Sequence, residues 1–176
     1  MIKDKAINDK VDKIRLLVLD VDGTLTDGKI YMGNNGEMFK AFDIKDGCGI
    51  HDVLPECGVV PVVITARKSD IVLNRCNELE IKECYQGVRN KLDKMQELAR
   101  IYGIVPDEYG IYNEIAYIGD DIIDITCMEC CGVVACPNNA VDEVKKISNF
   151  ISEYDGGNGA VREFIDYIFN IKNKKY

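Results

Sequence analysis

Five short apolar runs recur along the chain, separated by stretches with helical spacing. Arg15 to Leu19 leads directly into Asp20. Val59 to Thr65 carries Pro61 near its start, where a missing N–H is tolerated. Glu83 to Gln86 is weaker, and Ile115 to Gly119 and Gly132 to Cys136 complete the set. Unbroken hydrophobicity, rather than alternation, marks strands covered on both faces. Helical patterns fall at about Gly47 to Cys57, Ser69 to Leu79, Lys91 to Tyr102, Ile122 to Cys131 and Ala140 to Lys146, with a last one from Ala160 to Lys172. Ser69 and Asn90 stand where N-caps belong, because a short polar side chain there can accept from a free helix N–H. The alternation predicts an α/β fold, a doubly wound parallel sheet with helices on both faces.

One segment departs from this rhythm. Lys29 to Met32, then Gly33-Asn34-Asn35-Gly36, then Glu37 to Phe42 reads as a β-hairpin with a Gly/Asn turn. It follows the Asp20 loop immediately, so residues 27–43 are expected to form a flap over whatever binds there; a plain edge hairpin is the alternative. No repeat or interdomain linker is visible, which predicts one domain over residues 1–176. Its tail, about 155–176, opens with Gly156-Gly157-Asn158-Gly159.

Charge and composition exclude some functions. Lys+Arg 22 against Asp+Glu 30 gives a net charge of −8, and no basic run offsets it, a poor balance for nucleic acid or a membrane surface. Met1 to Lys13 is charged throughout, unlike a signal peptide or membrane span. Eight cysteines without such a signal read as reduced thiols, which places the protein in the cytoplasm. Cys127, Cys130 and Cys131 cluster, but zinc needs about four ligands and the one histidine, His51, is far along the chain. The cluster therefore reads as small buried residues.

The chemistry-bearing residues gather at predicted strand ends. Asp20 and Asp22 follow the first run, Thr65 and Arg67 close the second, and Asp120, Asp121 and Asp124 follow the fourth. Ligands of an open parallel sheet bind outside the carboxyl ends of its strands. Two carboxylates about 4 Å apart repel by roughly 4 kcal/mol at an effective dielectric of 20, so Asp20, Asp22 and Asp120 together call for a cation. Oxygen ligands beside a phosphate favour Mg²⁺. An aspartate can then act as a nucleophile toward phosphorus, and a second carboxyl can protonate the leaving oxygen and later activate water. Gly23 frees backbone N–H groups to approach phosphate. Thr65 is the natural hydroxyl and Lys91 the natural ammonium for the remaining phosphoryl oxygens. Arg89 is a near competitor of Lys91 in sequence.

Asp20-Val21-Asp22-Gly23-Thr24, then Thr65, Lys91 and Gly119-Asp120-Asp121-x-x-Asp124, resemble the four ordered motifs of the haloacid dehalogenase superfamily. The resemblance implies a Rossmann-like fold, Asp20 as nucleophile and metal ligand, and Asp22 as acid/base with its backbone carbonyl on Mg²⁺. It also implies Thr65 and Lys91 on the phosphoryl group with Gly23 and Thr24 lining it, Asp120 on the metal, and Asp121 and Asp124 close behind. A narrower likeness, to the 3-deoxy-D-manno-octulosonate 8-phosphate phosphatase family, is carried by Leu25 to Tyr31, Phe42-Asp43, Asp46-Gly47-x-Gly49-Ile50, Thr65-x-Arg67, Gln86-Gly87 and Gly156 to Glu163. It implies no large cap domain and a homotetramer in which a neighbouring hairpin and tail help close the site. It further implies a sugar-acid phosphate substrate touched by Arg67, Asp43, Asp46 and Arg162.

Asp43 and Asp46 equally suit caps, and Arg67 and Arg162 suit surface roles. Ala66 stands where the family usually has glycine, which leaves a nine-carbon ulosonic acid 9-phosphate as the alternative to the eight-carbon ester; Arg67 favours the latter. A phospho-receiver domain also collects Asp, Thr and Lys around Mg²⁺, but with its acids on different strands. A non-catalytic scaffold would be expected to lack Asp20 or Asp22.

Overall fold

A computed structural model describes residues 5–173. In chain order the elements are α1 (Lys5–Val11), β1 (Leu16–Leu19), β2 (Tyr31–Gly33), β3 (Gly36–Phe39), α2 (Ile44–Cys48), β4 (Val60–Thr65), α3 (Asp70–Glu78), β5 (Glu83–Gln86), α4 (Lys91–Ile101), β6 (Tyr112–Ile118), α5 (Ile122–Met128), β7 (Cys131–Cys136), α6 (Asp142–Ile147), β8 (Phe150–Ile151) and α7 (Ala160–Lys172). Six strands form one sheet in the order β5-β4-β1-β6-β7-β8, every pairing parallel. The expected doubly wound α/β architecture is present, with β8 added at one edge. Two residues are too short a run to show in the hydropathy pattern.

Strand parity divides the core into two layers. Leu17, Leu19, Val63 and Ile118 pack with Val72 and Cys76 of α3 and with Val161, Phe164, Ile165 and Ile168 of α7. Leu16, Val18, Val62 and Ile64 point the other way, onto Met95 and Leu98 of α4 and Cys127 and Met128 of α5. Side chains two apart on a strand share a face, so β1 and β4 contribute to both layers. The Cys127 and Cys131 thiols lie 3.3 and 3.4 Å from Met95 Sδ inside the second layer, where they behave as packed apolar groups.

Several boundaries move for local reasons. The expected helix over 47–57 starts at Ile44, capped by Asp43, and continues past Cys48 as a π turn and then a 3₁₀ turn (Leu54–Cys57). Pro55 lacks the N–H that a regular α-helix would use. Gly58 (φ +66°) then reverses the chain. Asn90 does cap α4, accepting from Asp93 N–H. Ser69 does not cap α3 with its side chain, because its hydroxyl is taken by Glu37.

The hairpin is shorter than expected: β2 and β3 pair Tyr31 with Phe39 and Gly33 with Gly36 across an Asn34-Asn35 turn. The Tyr31 and Phe39 rings stack at 4.3 Å. Among the described residues no helix is long and apolar enough to cross a membrane.

The tail packs against the body of its own chain. Gly156 and Gly157 pack on this chain's own 23–27 loop, with Gly157 N–H donating to Thr24 O at 3.0 Å. A Cβ on Gly156 would stand 1.8 Å from Gly23 O, closer than real side chains approach. Helix α7 supplies fully buried Phe164, Ile165 and Ile168. The described tail is therefore part of the core and of the loop's support.

Candidate active site

The site begins where β1 stops. Leu19 pairs with Val63 and Ile118, so Asp20, one residue on, turns to the face of α4 and α5. Lys91, the first residue of α4, meets it there. Its Nζ donates to Asp20 Oδ1 at 2.6 Å and to Asp124 Oδ1 at 2.7 Å. Asp124 is wholly buried on the first turn of α5 and also accepts from Tyr117 Oη at 2.6 Å. Sequence reasoning passed over Tyr117 because it sits inside an apolar strand.

The loop after Asp20 is shaped by one acceptor and one hydroxyl. Val21 O receives the N–H groups of Thr24, Leu25 and Thr26. Thr26 Oγ1 donates to the same carbonyl and accepts from Gly23 and Gly28 N–H at 3.2 and 3.3 Å. Gly23 has φ +97°, and a Cβ there would lie 2.1 Å from Asp120 Oδ2, so the backbone can approach Asp120 only without a side chain. Thr24 Oγ1 bonds Asp120 Oδ1 at 3.2 Å. Asp120 is thereby brought to the cluster from the end of β6.

Oxygens of Asp20, Asp120 and Asp124 all lie within 4.8 Å of one another. The expected carboxylate trio was Asp20, Asp22 and Asp120; the structure groups Asp124 with the other two, and the Asp22 side chain turns elsewhere. Burial, then repulsion from Asp124, pushes the Asp20 carboxyl up to about 6 despite Lys91. Burial, then Asp20 and Asp124, pushes Asp120 up to about 7. Burial opposes the Lys91 ammonium, but the two carboxylates outweigh it and raise its pKa. Three carboxylates and one ammonium leave two negative charges in a largely buried pocket. That excess and an all-oxygen donor set fit a hard divalent cation.

Asp22 instead faces the hairpin. Its Oδ1 accepts from Lys40 Nζ, and its Oδ2 is 3.8 Å from Arg67 Nε. Lys40 also pairs with Glu37 Oε1 at 3.0 Å. Glu37 in turn accepts from Arg67 Nη2 at 3.1 Å and from Ser69 Oγ at 2.6 Å. One ionic network thus ties the hairpin to the loop after β1 and the loop after β4. Lys40 and Glu37 were missed because on a hairpin strand a charged residue reads as a solvated face.

The other expected residues are placed as follows. Thr65, buried, ends β4 beside the loop, and its carbonyl accepts from Val88 N–H. Asp121 is exposed and caps α5, accepting from Ile122 N–H at 2.7 Å. Asp43 caps α2, accepting from Lys45 N–H. Asp46 is buried and accepts from Arg162 N–H at 2.7 Å, which ties it to the start of α7. Burial pushes its carboxyl up to about 6. The Arg162 guanidinium pairs with Asp166 at 2.8 Å. Among the described residues, none of Asp43, Asp46 and Arg162 bonds the carboxylate cluster.

No protein-family model matches the chain. It is 41% identical over 165 residues to the 3-deoxy-D-manno-octulosonate 8-phosphate phosphatase KdsC of Escherichia coli, a match covering 94% of this chain and 84% of that one. The crystal structure of the phosphatase of that name from Yersinia pestis is similar with a TM-score of 0.89 and 36% identity, covering 97% of this chain and 88% of the other. The Moraxella catarrhalis phosphatase, in complex with a magnesium ion, a phosphate ion and a KDO molecule, matches with a TM-score of 0.87 and 35% identity, over 95% of this chain and 92% of that one.

Proposed function

The chain belongs to the 3-deoxy-D-manno-octulosonate 8-phosphate phosphatase family of the haloacid dehalogenase superfamily, and from that premise we propose that it is a Mg²⁺-dependent phosphatase releasing the free eight-carbon sugar acid and phosphate. The observation that carries the reading is Asp20, at a strand end, bonded to buried Lys91 within a trio of carboxylates.

Asp20 is the nucleophile. Its free carboxylate oxygen forms a bond to phosphorus as the bond to the sugar's C8 oxygen breaks, giving an aspartyl-phosphate. Asp22 gives the departing oxygen its proton. It then takes a proton from water, whose oxygen attacks phosphorus and releases Asp20. Lys91 stays beside the attacked group and stabilises charge that spreads onto its oxygens. Gly23 and Thr24 present the loop's backbone, and Thr65 a hydroxyl, to the same oxygens. Asp20, Asp120 and the Asp22 carbonyl would hold Mg²⁺, with Asp124 adjacent. Bound there, the ion supplies Lewis-acid stabilisation of the phosphoryl oxygens.

Arg67, exposed beside Asp22 and Glu37, would meet the substrate carboxylate in this reading. Met32 and Met38 stand about two-thirds exposed on the hairpin, which supports a homotetramer in which a second copy covers this surface. The eight unpaired thiols suit a cytoplasmic enzyme.

The test is a phosphate-release screen with eight- and nine-carbon ulosonic acid phosphates, with and without EDTA. Preferential release from the eight-carbon ester, lost on chelation, is expected. No release from either ester with Mg²⁺ present would overturn the reading.

A further inference from the structure

An acid/base that works twice per turnover must be held at the leaving oxygen through both steps. Asp22 lies on a loop with its side chain about a quarter exposed. Arg67 Nε, at 3.8 Å, is beyond hydrogen-bond range. Among the described residues, the direct bond to the Asp22 carboxylate comes from Lys40, just past β3. The Lys40 side chain is only 1% exposed. Burying an ammonium is costly unless it is paired, and Lys40 is paired on two sides, by Asp22 and by Glu37. Glu37 is itself fixed by Ser69 and Arg67. Such a doubly tethered, buried cation has little freedom, so the carboxylate bonded to it inherits a defined position.

From this geometry we infer that Lys40 is a positioning residue for Asp22, and that Glu37 is the strut transmitting the hairpin's placement to the acid/base. The inference rests on the phosphatase reading above and deepens it: the hairpin does more than cover the site, because it contributes the group that orients proton transfer. Its signature depends on the leaving group. A sugar alkoxide cannot depart without a proton, whereas a nitrophenolate can. Misplacing Asp22 therefore slows the first step only for the sugar ester. The second step, activation of water, is slowed for both esters.

The experiment compares wild type, Lys40→Met, Lys40→Arg and the double variant Lys40→Met/Glu37→Gln, with Mg²⁺, on 3-deoxy-octulosonate 8-phosphate and p-nitrophenyl phosphate. For Lys40→Met, kcat on the sugar ester is expected to fall about 10²-fold, the scale of a general acid's contribution, with KM little changed. On the aryl ester the same variant should release a burst of nitrophenolate stoichiometric with enzyme, followed by slow turnover. Lys40→Arg should restore most of the sugar-ester rate. The double variant removes the ammonium and its counter-charge together, which separates a stranded Glu37 from lost positioning, and should show the same burst. Wild-type kcat on the sugar ester in either Met variant, or equal loss on both esters without a burst, would overturn the role of Lys40. Wild type inactive on both esters would instead bring down the phosphatase reading beneath it.

Discussion

Binding of Mg²⁺ to this cluster should depend steeply on pH in a range where ordinary aspartates are silent. The metal needs carboxylates, and Asp20 and Asp120 hold protons up to about 6 and about 7. As pH falls through those values the protons compete with the ion. Treated as independent sites, the two weaken apparent affinity by about 1 + 10^(pKa − pH) each. Between pH 8 and pH 5.5 that is roughly 30-fold from Asp120 and about 4-fold from Asp20, near 10²-fold together, or about 3 kcal/mol. Carboxyls with their usual pKa near 3.9 would change affinity by under about 10% over the same interval. Calorimetric titration of Mg²⁺ into the substrate-free enzyme measures this directly. Repeating it at pH 6.5 in buffers of different ionisation enthalpy counts released protons, with about one expected. A pH-independent affinity with no proton release would refute the reasoning, since it would mean the cluster tolerates its negative charge without either protons or metal.

Three further outcomes follow from the packing and the charges. Asp20→Asn should abolish turnover while the protein remains folded by circular dichroism, because Lys91 keeps Asp124; turnover comparable to wild type would remove Asp20 from the nucleophile's role. Phe164→Ala, deep under the sheet beside Phe150 (ring centroids 5.2 Å apart), should cost about 3–5 kcal/mol in denaturant unfolding, and a neutral result would show that α7 is not part of the core. The buried Asp46 has a folded pKa of about 6, above its unfolded value, so the folded state binds the extra proton. Stability should therefore fall as pH rises from about 4 to about 7, by roughly 2 kcal/mol from this group. Asp46→Asn should remove that slope in urea titrations at the two pH values, and an unchanged slope would exclude Asp46 as its source.

Much of the fold could be read from the chain because its strands announce themselves. A parallel sheet covered on both faces requires unbroken apolar runs, and polar residues can appear only where those runs stop. That constraint puts Asp20, Thr65 and Asp120 at one edge from the sequence alone, and Lys91 joins them as the first residue of a helix. Where the local signal is weak, the reading faltered. β8 is two residues long, Pro55 tightens a helix into a 3₁₀ turn, and Ser69 gives up its cap to bond Glu37.

What only the tertiary structure decided is which carboxylates share a pocket and which charges serve them. Asp124 joins Asp20 and Asp120 because the first turn of α5 folds it inward, onto Lys91 and Tyr117. Asp22 turns away because the hairpin brings Lys40 to it. The glycine-rich tail supports the Asp20 loop from behind, since Gly156 leaves room for the Gly23 carbonyl. Sequence determined the order and the residue types of the site, because periodicity and strand ends are local properties. The partners are separated by up to a hundred residues and more, and their pairing depends on long-range packing that no local pattern encodes.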